Sequence, residues 1–400
     1  MTTPVFLNRA TPPSIVTLTL LAGISALSMN IFLPSLPMMA QYFNVPYGVM
    51  QQSVSLYLAL SAVLQIFIGP LSDRFGRRPI MLGALVLFLL ATLGSILAPT
   101  AGVFLFFRMM QAVVAAGTVL SRAVIRDMVS DARAASMIAY VTMGMSLVPM
   151  IGPSIGGLLD QAYGWQASFA FLGISGALVL VLTYADLGET HPASHVSLSG
   201  QFRQYPQLLV SLPFWGYAGA AAFASGAFFA ALGGAPFVAS DVFGLTPAQT
   251  GLYFGLIALG YTAGNYLAGR YSVRFGMNNM VLMGALITFA GMAALALFSL
   301  AGIKGAILFF GLMAVMGVGN GVSLPSANAG ILSVRPDLAG SASGLGGALM
   351  MGGGAALAAL AGALLHHGTG EMPLVLVMLG SATASVLCIL AVMRWQRPPR

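Results

Sequence analysis

Arg108 is a guanidinium set in apolar sequence, with Leu105, Phe106 and Phe107 before it and Met109 and Met110 after it. A charge held near mid-bilayer costs at least about 2.5–3.5 kcal/mol unless it faces water or a partner. The position is therefore read as a binding group, with snorkelling to the nearer surface as the alternative. Asn30 lies at a similar depth, each residue about seven positions from the same-side end of its apolar run. The two can face each other across a cavity, and the Asn30 amide can hydrogen-bond a substrate or Arg108 but cannot carry a titrating proton. Other polar or aromatic side chains interrupt apolar stretches at Tyr57, Gln65, Gln111, Phe223, Asn265, Asn320 and Asn328. Pockets for hydrophobic small molecules are mostly apolar with a few placed polar groups. Asn30, Tyr57, Arg108, Gln111, Phe223 and Asn320 form the candidate binding set, helix packing or lipid contact being the alternative for each. None of the nine acidic residues lies deep in an apolar run.

The elements that must position these groups follow from composition. Only 6% of the 400 residues are charged and 58% are hydrophobic, whereas soluble domains carry about 25% charged residues. The solvent is mostly lipid. Apolar stretches of membrane-spanning length fall at 14–37, 48–70, 79–98, 102–126, 134–159 and 166–187, then at 212–238, 249–270, 280–301, 305–330, 338–365 and 372–394. The first is too long for a signal-peptide core and lacks a cleavage site, so it reads as a retained membrane helix. With both termini in the cytoplasm, the inner loops receive Arg9, Arg74, Arg77, Arg78, Arg126, Arg133, Arg203, Arg270, Arg274, Arg335, Arg394, Arg397 and Arg400, and the outer loops only Lys304. That asymmetry sets the expected orientation. It also accounts for the formal charge of +7 without a nucleic-acid partner.

A polar break at 188–211 divides the chain into expected six-helix bundles, 1–187 and 212–400. At an offset of 200 residues, Arg74, Phe75 and Gly76 fall on Arg274, Phe275 and Gly276, and Gly69, Gly117, Gly144 and Gly152 fall on Gly269, Gly317, Gly344 and Gly352. Both halves start on the same membrane side, so the duplication is parallel, as in carriers that work by alternating access. The expected fold class is an all-α membrane protein of twelve helices in two pseudo-symmetric bundles.

The run from Gly69 through Asp73, Arg74, Gly76, Arg77 and Arg78 to Leu82 resembles the cytoplasmic loop signature of the major facilitator superfamily, and it lies between helices two and three as that family requires. Arg108 to Gln111 resembles the family's intramembrane Arg-x-x-Gln element. Pro149 to Gly157, with Gly152, Pro153 and Gly156, is similar to the signature of its antiporters. Asn30 to Pro37, Ser121 to Asp127, Pro325 to Ala329 and Ala339 to Gly344 resemble the Bcr/CflA branch of multidrug exporters, so the resemblance covers nearly the whole chain.

The resemblance implies export of hydrophobic or amphiphilic small molecules in exchange for protons from a bacterial inner membrane, by a monomer with no cofactor. It gives gating and coupling roles to Gly69, Asp73, Arg74, Gly76, Arg77, Arg122, Arg126, Asp127, Gly152, Pro153 and Gly156. Gly69 and Gly76 would allow a tight turn between helix ends. Asp73 would face the start of helix eleven near Leu338, a favourable contact of about 0.3–1 kcal/mol for a carboxylate at a helix N-terminus. The alternative for these charges is a purely topogenic role. Val273 stands where the second half would need its own acid. Prolines and glycines of helix five would make a kinked, smooth seal. Relatives usually carry Asp where this chain has Asn30, so proton coupling would rest on a peripheral acid such as Asp127, or an unopposed Arg108 would favour anionic substrates. A dedicated sugar or organic-acid transporter is the other transport reading, although the spans are poor in clustered Gln, Asn and Trp. An enzyme is disfavoured, since His191, His195, His366 and His367 all fall in loops and no P-loop is present.

Overall fold

The computed structural model describes residues 6–129, 137–138, 140–141, 144–145, 148–190, 205–335 and 339–395. It is all helix: α1 (Ile15–Tyr42), α2 (Tyr47–Phe75), α3 (Arg77–Ile96), α4 (Ala101–Met128), α5 (Val148–Tyr163), α6 (Gln166–Asp186), α7 (Leu212–Asp241), α8 (Pro247–Phe275), α9 (Met277–Leu300), α10 (Ala306–Ser333), α11 (Ala339–Leu364) and α12 (Met372–Trp395). A short helical segment, Tyr205–Leu209, precedes α7. Ten spans among the described residues are long and apolar enough to cross a membrane. The start of the predicted fifth span, the Arg133 and Arg203 side chains and the Leu338 end of helix eleven lie outside the described residues.

Helices dominate because backbone polar groups in lipid must be satisfied within the segment. Their ends are capped locally. Ser14 accepts from the Thr17 N–H and Thr246 forms a reciprocal capping box with Gln249. α2 and α8 end alike, on Gly76 and Gly276, whose φ angles of 95° and 75° suit glycine. Here the structure corrects one expectation. Gly76 alone makes the α2–α3 turn, whereas Gly69 lies inside α2 with nothing within 4 Å of where its Cβ would stand.

Small residues set the closest approaches. α1 and α5 run side by side, with Gly152 beside Leu27 and Gly156 against the Ile31 carbonyl, and Gly144, ahead of α5, stands beside Thr19. In the second half, Gly260 and Gly264 of α8 meet α10, where Gly317 and Gly321 return the contact. Without a hydrophobic drive between helices in lipid, such backbone-level packing supplies much of the association.

Two spans predicted as continuous are broken. α1 gives way to a 3-10 turn at Leu33–Ser35 before resuming, because Pro34 offers no N–H to the carbonyl four residues back. α4 tightens into a 3-10 turn at Ala112–Val114, directly after Gln111. Both irregularities lie beside the buried charge.

Candidate functional site

Arg108 is fully buried. Its guanidinium donates to the Ser28 carbonyl (2.9 Å), the Ser28 hydroxyl (3.1 Å), Gln111 Oε1 (2.8 Å) and the Ser53 carbonyl (3.3 Å). It lies 3.9 Å from the Tyr57 ring centroid and 4.5 Å from that of Phe32. Desolvated cation–π contacts of this kind contribute about 2 kcal/mol or more. Gln111 passes the network on, donating to Thr92 Oγ1 (2.8 Å). Ser28 lies in the last turn of α1 before the break, where helix carbonyls lack intrahelical donors. The charge is thus spread over acceptors and ring faces without a carboxylate, and it ties α1, α2 and α4 together.

This arrangement corrects the picture of Arg108 and Asn30 facing each other across a cavity. Both are buried, and Arg108 bonds Ser28, Ser53 and Gln111, not Asn30. The Asn30 amide donates back to the Ala26 carbonyl (2.7 Å), and its Oδ1 is buried without a partner. Tyr57 and Gln111 belong to the Arg108 cluster. Phe223 and Asn320 lie in the other half. Phe223 is partly exposed and its carbonyl accepts from Ser381 (2.6 Å). Asn320 is buried with both amide atoms unpartnered. Asn265 opens on a groove of about 390 Å³ between α8 and α10, with Ser272 and Ser326 as polar neighbours.

The charged residues at the α2–α3 turn form a second cluster. Arg77 pairs with Asp73 in the preceding turn, donates to Ser72, and reaches Asp127 of α4 at 3.1 Å. Its backbone N–H and that of Arg78 donate to Glu189 (2.8 and 3.2 Å), a carboxylate on a helix N-terminus. Arg74 stacks on Phe75, while Arg122 and Arg126 are exposed. Glu189 and Asp186 were legible only as charges inside. Asp186 accepts from the Leu7 and Ser14 N–H groups and the Thr17 hydroxyl (2.8, 2.8 and 2.6 Å). The end of α6 therefore caps both α1 and α3. Acids following a span directly, amid basic loops, were the available signal.

The two halves meet at the end that carries Tyr47, Gly157 and Pro247. A Cβ on Gly157 would stand 2.2 Å from the Pro247 carbonyl, and one on Gly251 2.3 Å from the Pro153 carbonyl. Ser154 donates to the Gly251 carbonyl (3.0 Å). Across the other seam, Tyr47 donates to the Gly233 carbonyl and Gln51 to the Ala358 carbonyl, both at 2.5 Å. Gln51 is 1% exposed, in a slot that Cβ atoms at Gly233 or Gly362 would fill. Sequence reasoning missed this clasp, although Gln51 is a polar residue facing glycines. Contact along α2 and α11 continues to Gln65, whose amide meets Met351 Sδ (2.8 Å). At the opposite end of α2 and α8, Phe75 is 52% exposed and Val273 95%. Among the described residues one end is sealed at backbone level, and at the other these apolar side chains stand exposed.

Residues 18–359 match the family model of the Major Facilitator Superfamily. The chain is 30% identical to Multidrug resistance protein D of Escherichia coli, over 91% of this chain and 92% of that protein. It is 29% identical to a Chloramphenicol resistance protein of Pseudomonas aeruginosa, over 82% and 79%. Among solved structures it resembles a D-xylose-proton symporter, with a TM-score of 0.73 at 17% identity over 96% of this chain and 97% of that one. The match to drug-resistance relatives bears out the resemblance read from the motifs, and the chain belongs to the major facilitator superfamily.

Proposed function

We propose that this protein is a secondary active exporter of hydrophobic or amphiphilic small molecules, acting as a monomer in a bacterial inner membrane and exchanging substrate for protons. The observation that carries the mechanism is the asymmetric contact between the halves. The end sealed by Gly157, Gly251, Tyr47 and Gln51 is the outer end under the positive-inside assignment. The arrangement is then inward-open, one of the two states that alternating access requires. The drug-resistance relatives support small drugs, phenicols among them, as substrates.

The buried Arg108 cluster acts in this reading as a rigid tie within the first half, so that the half moves as a body. Asp73, held by Arg77 in this state, is the group that exchanges partners when the inner end closes against helix eleven. Asn30 contributes a buried amide oxygen and no proton.

The reading is tested by drug accumulation in cells lacking their main efflux pumps, with and without this protein, before and after the proton gradient is collapsed. A fluorescent cation, a phenicol and an anionic dye cover the charge classes. Gradient-dependent lowering of at least one is expected. No change in any, with the protein present in the membrane, would put a dedicated sugar or organic-acid transporter first. Asn30→Asp is expected to alter the pH dependence of export, and unchanged transport would remove that position from the coupling path.

A further inference from the structure

The sealed end buries a carboxylate with no cationic partner among the described residues. Asp160, in the last turn of α5, is 8% exposed, and its Oδ2 lacks any hydrogen bond. Its polar neighbour is Ser35, in the 3-10 turn of α1. The Ser35 hydroxyl is itself buried without a bond of ordinary geometry, as is the indole N–H of Trp165 beyond the α5–α6 turn. The Leu33–Ser35 turn packs against α5 and also against α7 and α8 of the other half. Asp160 therefore lies behind the contact that Gly157 makes with Pro247.

Among the described residues no cation stands there to compensate a charge. α1 carries no charged residue, and the only ionisable groups at this end of α1 and α5 besides Asp160 are the phenols of Tyr42, Tyr47 on the adjoining helix, and Tyr163. The first turn of α6 has none. α8 bears only Arg270 and Arg274, at its far end, and α7 offers Asp241, which pairs with His367. A charged carboxylate buried without a cation or a full set of hydrogen bonds costs several kcal/mol. A neutral carboxyl instead gains an O–H donor, which the idle Ser35 oxygen can accept.

We infer that Asp160 is a proton-binding gate residue: the outer seal closes on its neutral form and opens to release the proton to the outer solvent. Resting on the proposed orientation, this gives the exporter a second link to the external proton supply, in a chain whose first helix has Asn30. The proton enters and leaves on one side, so Asp160 sets the gate rather than carrying charge across. The sign follows from linkage: the sealed state binds one more proton, so rising external pH favours opening. The open-to-sealed ratio then changes up to about tenfold per pH unit.

The test uses the full-length protein in lipid nanodiscs without drug, in a Cys388→Ala background. Spin labels are placed at Tyr163→Cys and Lys304→Cys, exposed positions at the outer ends of the two halves. The distance distribution is recorded from about pH 5 to about pH 9. The open population is expected to grow steeply with pH in the parent and to stay low throughout in Asp160→Asn. Asp160→Ser carries the same expectation if the Asn variant fails to fold, and Asp160→Glu should retain the pH response. A parent insensitive to pH, or an Asp160→Asn variant that follows it, overturns the inference. Because no drug is present, that failure leaves the export reading standing, while a pH response in a protein that moves no drug would sink export alone.

Discussion

Gly156 and Gly157 are adjacent in sequence, and they face different partners. A Cβ at Gly156 would stand 1.6 Å from the Ile31 carbonyl, within its own half, whereas one at Gly157 would stand 2.2 Å from the Pro247 carbonyl of the other half. Both obstacles are backbone atoms that cannot rotate aside. Ordinary contact is about 3.5 Å, so Gly157→Ala forces α5 and α8 apart by roughly 1 Å. Overpacking of this kind costs about 1–3 kcal/mol, and here the cost falls only on the sealed state. The open-to-sealed ratio should rise by about 5- to 150-fold at about 1.4 kcal/mol per decade. Gly251→Ala meets the Pro153 carbonyl at the same seam. It should act in the same direction, and the double variant should fall short of additivity. Gly156→Ala strains the first half in every state and should lower stability instead. The assay is the label-to-label distance across the outer mouth, read beside thermal stability in detergent. If Gly157→Ala leaves the distance distribution unchanged, or Gly156→Ala shifts it equally, the assignment of the two glycines to different tasks is wrong.

Two further substitutions probe the ties within the first half. Arg108→Ala leaves the Ser28 carbonyl and Gln111 Oε1 without this donor and should cost about 1–3 kcal/mol for each buried group left unmet. Arg108→Lys should recover little of it, since an ammonium cannot reproduce the planar fork; both are checked by thermal unfolding in detergent. Glu189→Ala removes the acceptor for the Arg77 and Arg78 N–H groups and should cost about 0.5–2 kcal/mol, with drug affinity unchanged in an equilibrium binding assay.

The fold was legible because the physics of a lipid solvent is coarse. Long apolar runs, the arginine asymmetry and the Arg74-Phe75-Gly76 repeat need no knowledge of side-chain direction. The site was less legible because depth along a helix does not give azimuth. Arg108 and Asn30 share a depth, yet Arg108 turns to Ser28 and Tyr57 while Asn30 turns to its own helix. The 3-10 turns that allow this come from one proline and from packing, and only the proline is visible in sequence. Glycine was informative as a class and ambiguous by position. Gly157 works between halves, Gly156 within one, and a Cβ on Gly69 would meet nothing. Gln51, Asp160 and Glu189 were overlooked for a common reason. Each takes its role from a contact distant in the chain, with Ala358, Ser35 and the start of α3 respectively.

The central claim, export coupled to protons through alternating access, is tested most directly with purified protein in proteoliposomes under an imposed pH gradient. The account predicts that a hydrophobic drug accumulates in an acidic lumen above its passive level, that a proton ionophore abolishes the accumulation, and that cross-linking the outer seal between α5 and α8 stops it. Accumulation that ignores both the gradient and the cross-link, with the protein folded and inserted, would contradict it.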